Sequence, residues 1–295
     1  MDIIVTGGAG FIGSNVAGEL ERRGHRVTIL DNLSTGTKGN LLTGKGKFQQ
    51  VDITRRFSIE SNVDAIIHEA AITDPRFSDD AEMLRANKEG FRNIIALALQ
   101  KKAKLVYASS AGLYGNGPVP MKENQKKHLL SAYATSKLWM DEYAAQHYAE
   151  MHIVGLRYFN VFGPHEAHKG RPASMVFHLA KQMKEGKRPR IFRRGEQLRD
   201  HIYVKDAVQA TILALHAKKS GVYNVGTGMG TSFNRLVEIL NEVLGTCLKP
   251  EYINNPYAET YQKNTQADTT LAGEMLGFKA QYTLTQAIAE YVRDL

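Results

Sequence analysis

The chain has a single cysteine among its 295 residues, Cys247. No internal disulfide and no cysteine-built zinc site can form, and no metal site is expected. Cys247 falls near the end of a helical pattern, where a lone thiol is expected to act as a small buried hydrophobe. No apolar run approaches the roughly 20 residues that span a bilayer, so no membrane partner is expected. Aromatic residues are not interleaved with the basic ones as a nucleic-acid stacking platform requires. Low-complexity linkers and internal repeats are also missing. The sequence opens directly in an apolar strand pattern, so no signal peptide is expected and the cytoplasm is the default location. What the chain does have is positive charge. The formal net charge is +8 and the pI near 9.4. That balance suits nucleic acid, an anionic surface or a phosphorylated small substrate. Without the stacking platform, nucleic acid is not expected.

The amino end carries the strongest local pattern. Asp2-Ile3-Ile4-Val5-Thr6 is a short apolar run, Gly7-Gly8-Ala9-Gly10-Phe11-Ile12-Gly13 follows at once, and an amphipathic stretch continues to Arg23. The order reads strand, glycine turn, helix. Glycines at 7, 10 and 13 permit a tight turn, close approach of backbone to a pyrophosphate, and close helix–strand packing. The helix amino end offers free N–H groups and a partial positive charge to phosphates. A second apolar run, Val27 to Leu30, ends at Asp31, where a carboxylate can hold the ribose hydroxyls of a dinucleotide. NAD or NADP is therefore the expected cofactor. The alternative is a turn that only packs a helix onto a sheet.

Short β-branched runs alternate with longer amphipathic ones. Strands are predicted over 2–6, 26–30, 47–51, 64–68, 104–109 and 152–157, and helices over 11–23, 78–101 and 132–150. This alternation predicts an α/β, Rossmann-type doubly wound parallel sheet with ligands at the carboxyl ends of its strands. After about residue 160 the rhythm changes at Gly163-Pro164. Helices are predicted over 173–186, 205–217 and 231–244, with strands at 200–204 and 221–225. We expect residues 1–160 to form the dinucleotide-binding domain. Residues 161–295 would form mainly a smaller carboxyl-terminal α/β substrate lobe, with the chain crossing back to the first domain. Lobe interfaces of this kind commonly hold ligands.

The fifth strand runs into Ser109-Ser110, and Tyr133-Ala134-Thr135-Ser136-Lys137 follows at the start of a helix. Positions i and i+4 share a helix face, so Lys137 can sit above Tyr133. A nearby ammonium favours phenolate and is expected to lower the tyrosine pKa. Such a tyrosine can take a proton from an alcohol as hydride leaves, while Ser110 hydrogen-bonds the reacting oxygen. Taken singly, Tyr-x-x-x-Lys arises by chance, and Ser109-Ser110 would serve to cap the next turn.

With these residues the chain resembles the extended short-chain dehydrogenase/reductase family of nucleotide-sugar epimerases and dehydratases. The resemblance rests on Thr6 to Gly13, Asp31-Asn32-Leu33, Ala108 to Gly115, Tyr133 to Lys137, Arg157 to Pro164, Arg199 to Val204 and Asn224 to Gly228. It implies inversion of a carbinol centre of a nucleotide-diphosphate sugar, with one NAD or NADP per subunit that is not consumed, and a homo-oligomer is expected. Two loops, Gly163 to Gly170 and Tyr261 to Asp268, are similar to the branch that acts on the sixth carbon of an ADP-linked heptose. Residues 32–47 read more like the branch that inverts the fourth carbon of a UDP-hexose, and Arg171-Pro172 and Arg193-Arg194-Gly195 depart from the heptose pattern. A UDP-hexose 4-epimerase and a non-catalytic dinucleotide-binding scaffold remain the alternatives. A dehydratase would carry an acidic pair where Ala111-Gly112 stands.

Carried over residue by residue, the resemblance implies catalytic roles for Ser110, Tyr133 and Lys137, with Lys169 as a second base. Cofactor contacts fall on Gly7, Gly10, Phe11, Ile12, Gly13, Asp31, Asn32, Lys38, Asn87, Tyr133 and Lys137, with Asp52, Ile53, Ala70, Ala71 and Val161 as further lining positions. Substrate contacts fall on Ser110, Asn160, His178, Arg199 and Tyr261. Asp31 argues for NAD, because it would repel a 2′-phosphate. Asn32 and Lys38 argue for NADP. The basic stretch from Arg188 to Arg199 is expected at the substrate diphosphate.

Overall fold

The computed structural model describes residues 1–41, 46–74, 77–256 and 261–295. The first half alternates β1 (Asp2–Thr6), α1 (Phe11–Arg22), β2 (Arg26–Asp31), β3 (Lys47–Gln50), β4 (Ala65–His68), α2 (Asp80–Lys101), β5 (Lys104–Ser110), α3 (Ala132–Ala145) and β6 (Ile153–Tyr158). The second half adds β7 (Asn160–Phe162), α4 (Met175–Lys184), β8 (Arg190–Phe192), β9 (Leu198–Arg199), β10 (His201–Tyr203) and α5 (Val204–Ala214). It closes with β11 (Gly221–Val225), β12 (Thr231–Ser232), α6 (Phe233–Leu244), β13 (Glu251–Ile253), α7 (Thr270–Leu276) and α8 (Leu284–Tyr291).

Seven strands form one parallel sheet in the order β11-β6-β5-β4-β1-β2-β3. The order reverses between β1 and β4. That is the switch point, where a crevice opens at the carboxyl ends. Both faces of the sheet are covered, which is why its strands read as near-continuous apolar runs. Side chains alternate between two cores: Ile3 and Val5 enter one with α1 and α5, while Ile4 enters the other with α2. The first core continues into α4 and α6 through Val176, Leu179, Leu236 and Leu240, so both parts of the chain share it.

The helices start where capping side chains stand. Asp79, Ser131, Ser174 and Ser232 each accept a backbone N–H of the following first turn. Three expectations need correcting. The helix predicted to run to 150 ends at Ala145, and three-residue turn bonds such as His147 N to Ala144 O replace its last turns. Residues 231–232 form a short strand paired with β9 rather than the first turn of a helix. Cys247 is exposed, not buried. It lies just beyond Gly245, whose left-handed backbone (φ 65°) ends α6 at the surface.

Candidate active site

The glycine turn sits at the switch point. Gly7 takes φ 67°, donates its N–H to Leu30 O at 2.8 Å, and accepts from Gly10 N at 3.0 Å. A Cβ at Gly13 would stand 2.2 Å from Gly7 O, and one at Gly7 only 2.6 Å from Ala70 N. Helix, turn and sheet therefore close to a distance that only glycine permits. Gly10 caps α1 without a side-chain acceptor, so the first N–H groups, those of Phe11, Ile12 and Gly13, stay available to an anion. This cradle fits a dinucleotide pyrophosphate.

Of the predicted lining residues, Asp31 and Ala70 reach this turn directly. Asp31 ends β2 and accepts Ala9 N at 3.0 Å and Leu33 N at 2.7 Å. Asn32 is exposed and accepts Ser34 N, and Lys38 is exposed at the start of a short turn. Asp52 binds Thr54 through both its N–H and hydroxyl, and Ile53 packs toward Gly90. Ala70 and Ala71 follow β4, half-buried, and Val161 lies half-buried in β7. Asn87 of α2 bonds both polar groups of the Ile72 backbone, at 2.8 and 3.1 Å, and donates to Ser136 Oγ at 3.0 Å. It thereby ties the segment after β4 to the helix that carries Tyr133 and Lys137.

Ser110 ends β5. Its Oγ accepts Gly112 N at 3.0 Å, and its hydroxyl favours the ionised form of the Tyr133 phenol. The hydroxyl expected to meet the reacting oxygen thus also caps the turn that follows. Lys137 is fully buried, donates to Ala108 O at 2.7 Å, and holds its ammonium 5.9 Å from the Tyr133 ring centroid. Burial pulls the Lys137 amine down to about 8, against the charges of Glu69 and Asp141. Burial pushes the Tyr133 phenol up; the Ser110 hydroxyl opposes this and the Glu69 charge adds to it. The phenol thus stands above its ordinary value, opposite to the expected lowering, because burial disfavours the phenolate.

The loop from Gly163 to Gly170 is clamped onto the cofactor cradle. His165, in a left-handed backbone (φ 71°), shares a 2.9 Å hydrogen bond with Ser14 Oγ. Asn15 donates to Pro164 O at 3.0 Å, and Asn40 bonds Ala9 O at 3.1 Å and His168 Nδ1 at 3.2 Å. This places the Lys169 ammonium 5.3 Å from the centroid of the Phe11 ring, half-buried. Burial pulls the Lys169 amine down, against Glu166 and Asp74.

The substrate-side residues come from β7, α4, β9 and the stretch after 260. Arg199 is buried; its guanidinium bonds the carbonyls of Leu198, Gln262 and Lys263 and lies 4.7 Å from the Tyr261 ring centroid. No carboxylate among the described residues partners it, which leaves a buried cation suited to an anionic ligand. Asn160 Nδ2 donates to Asp200 O and Thr265 Oγ1, while His178 is held by Arg171 O at 3.2 Å. A cavity of about 350 Å³ opens beside Tyr261, lined by Glu196, Gln197, Asn255, Lys263 and Asn264. Arg188 lies apart, bonding the carbonyls of Lys249 and Pro250, and Arg193 and Arg194 are exposed.

A family model described as "NAD dependent epimerase/dehydratase family" matches residues 3–226. The chain belongs to this family. A curated relative, the ADP-L-glycero-D-manno-heptose-6-epimerase of Brachyspira hyodysenteriae, is 41% identical over 284 residues, 90% of this chain and 89% of the relative. The solved ADP-L-glycero-D-manno-heptose-6-epimerase of Helicobacter pylori matches with a TM-score of 0.93 at 38% identity, over 99% of this chain and 95% of that one. The UDP-glucose 4-epimerase of Thermotoga maritima, solved with UDP-glucose, matches with a TM-score of 0.90 at 30% identity, over 99% and 98% of the two chains. The chain is an NAD-dependent epimerase. No helix among the described residues is long and apolar enough to cross a membrane.

Several motif residues of this epimerase prove to be braces rather than ligands. Asp200 is fully buried and accepts Thr227 N, Thr227 Oγ1, Gly228 N and Ala267 N, so the second glycine cluster cradles a carboxylate of the chain itself. Arg157 pairs with Asp141 at 2.9 Å in the core, where Tyr107 also donates to Asp141. Glu69, whose charge acts on Tyr133 and Lys137, had no sequence signal beyond its place just after a strand.

Proposed function

We propose that this epimerase inverts the sixth carbon of an ADP-linked glycero-manno-heptose by transient oxidation and re-reduction. When bound, the dinucleotide supplies the hydride acceptor and then the hydride donor. Tyr133 takes the alcohol proton at its phenolic oxygen, Ser110 hydrogen-bonds the reacting oxygen, and Lys137 holds positive charge against the developing phenolate. Returning hydride to the other face needs a proton donor on that side, and Lys169 is our second base. Arg199, Asn160, His178 and Tyr261 would hold the nucleotide sugar, with the diphosphate at Arg199. NADP or NAD would lie along Gly7, Gly10, Phe11, Ile12 and Gly13, reaching Asp31, Asn32 and Lys38 at one end and Tyr133 and Lys137 at the other. We take the enzyme to be a cytoplasmic homo-oligomer, and light scattering tests its assembly.

The observation that carries this reading is the clamped loop. It holds the Lys169 amine, lowered by burial, over the Phe11 ring at the glycine turn. The two heptose-epimerase matches support the same choice of sugar. The test follows the epimers of ADP-glycero-manno-heptose by proton NMR with wild type and Lys169→Met. Wild type should interconvert them without accumulating reduced nicotinamide, and Lys169→Met should lose most of that turnover with cofactor affinity near normal. Rapid interconversion of UDP-glucose and UDP-galactose by both proteins would establish the UDP-hexose reading instead, with Lys169 an ordinary loop lysine.

A further inference from the structure

The mechanism above leaves Glu69 without a task, although it stands at the switch point. The β1–β4 register pairs Thr6 with His68, so Gly7 and Glu69 emerge side by side at the crevice. The β5–β6 register pairs Ser110 with Tyr158, and the Tyr158 hydroxyl donates to Glu69 Oε1 at 3.0 Å. The same hydroxyl shares a 2.6 Å bond with Thr211 of α5. From α3, Lys137 and Tyr133 both feel the Glu69 charge.

The other ionisable groups nearby are already engaged. His68 turns its ring to Thr6 Oγ1 at 2.7 Å, and burial keeps it neutral. Asp141, one helical turn beyond Lys137, is paired with Arg157. One cation, Lys137, therefore faces two groups that can each carry a negative charge, and neither has another cationic partner in these contacts.

We propose that Glu69 is a positioning residue: its carboxylate shares the single positive charge of Lys137 with Tyr133, and so sets the pH at which Tyr133 becomes a phenolate. The proposal rests on the assignment of Tyr133 as the proton-transferring group. With Glu69 ionised, the positive charge is matched and a phenolate at Tyr133 would be a second, uncompensated anion. With Glu69 neutral, the phenolate becomes the natural partner of Lys137. Burial pushes the Glu69 carboxyl up to about 7, against Tyr158 and Lys137, so above neutrality its charge opposes a phenolate at Tyr133.

The test is a near-ultraviolet pH titration of the Tyr133 phenolate, isolated as the difference between each protein and the same protein carrying Tyr133→Phe. Glu69→Gln should lower the Tyr133 midpoint by about one pH unit and move the rising limb of kcat/KM the same way. Glu69→Asp, which keeps the charge, should hold the midpoint near wild type. An unmoved midpoint in Glu69→Gln, or an equal shift in Glu69→Asp, overturns the proposal. Should Glu69→Gln not fold, carboxyl NMR of Glu69 gives a second reading: Lys137→Met must raise its midpoint, and no rise overturns the proposal. The titrations use no sugar. A fixed midpoint removes this inference alone, whereas a shifted midpoint in a protein inactive on every nucleotide sugar supports it and removes the substrate reading alone.

Discussion

Replacing His201 by leucine should stabilise the protein, and more so in acid. His201 lies in β10 at 5% exposure, its ring against Phe162 (centroids 6.4 Å apart) and Phe233 (6.3 Å). Both ring nitrogens are buried without a hydrogen-bond partner among the described residues. Burial, aided by the Arg199 charge, pulls the imidazole down to about 3. An unsatisfied buried polar group costs about 1–3 kcal/mol. Losing the two edge-on ring contacts costs about 0.5–1.5 kcal/mol each. The net expectation is a gain of about 1 kcal/mol near pH 7.5. The unfolded chain takes up a proton below a pKa of about 6.5, whereas the folded protein takes none up until far lower. Proton uptake by the unfolded chain therefore costs wild type nothing above about pH 6.5 and progressively more as the pH falls below it. At about pH 5 the difference adds about 2 kcal/mol in favour of the leucine variant. His68, also pulled down to about 3 by burial, is present in both proteins and cancels. Denaturant unfolding of both proteins at the two pH values measures the effect. A stability difference independent of pH would refute the proton argument. A less stable variant near pH 7.5 would show that the ring contacts outweigh the orphaned nitrogens.

Three other outcomes follow from the site. Tyr133→Phe should bind cofactor as wild type does and lose about 100- to 10,000-fold in kcat, checked by steady-state kinetics beside a fluorescence titration of the dinucleotide. Lys38→Ala should weaken NADP more than NAD, since an exposed lysine at the end of the cradle can meet only the extra phosphate; equal affinities in both would make Lys38 a bystander. Gly13→Ala puts a Cβ 2.2 Å from Gly7 O, so calorimetry should show a lower melting temperature and dinucleotide binding should weaken at least tenfold. Unchanged binding would remove the glycine turn from the cofactor site.

The glycine turn, the parallel strands and the Tyr133–Lys137 spacing were legible along the chain because each is local. A turn needs its own φ angles, a covered strand its own apolar run, and i, i+4 neighbours meet wherever a helix forms. The end of α3 was not legible, because nothing in residues 146–150 stops a helix except the turn they enter. The surface position of Cys247 follows from where α6 meets solvent. Asp200 stood in a stretch that resembles the family, and its place as a brace is set only where residues 227, 228 and 267 converge on it. Sequence likewise named Tyr133 and Lys137 but gave the wrong direction for the phenol. Spacing reports which groups are neighbours. A pKa depends on how much water the fold removes from them and on what arrives from other strands, and here β4 brings Glu69. That arrival is fixed by the β1–β4 register, a contact between segments more than sixty residues apart, which no local pattern encodes.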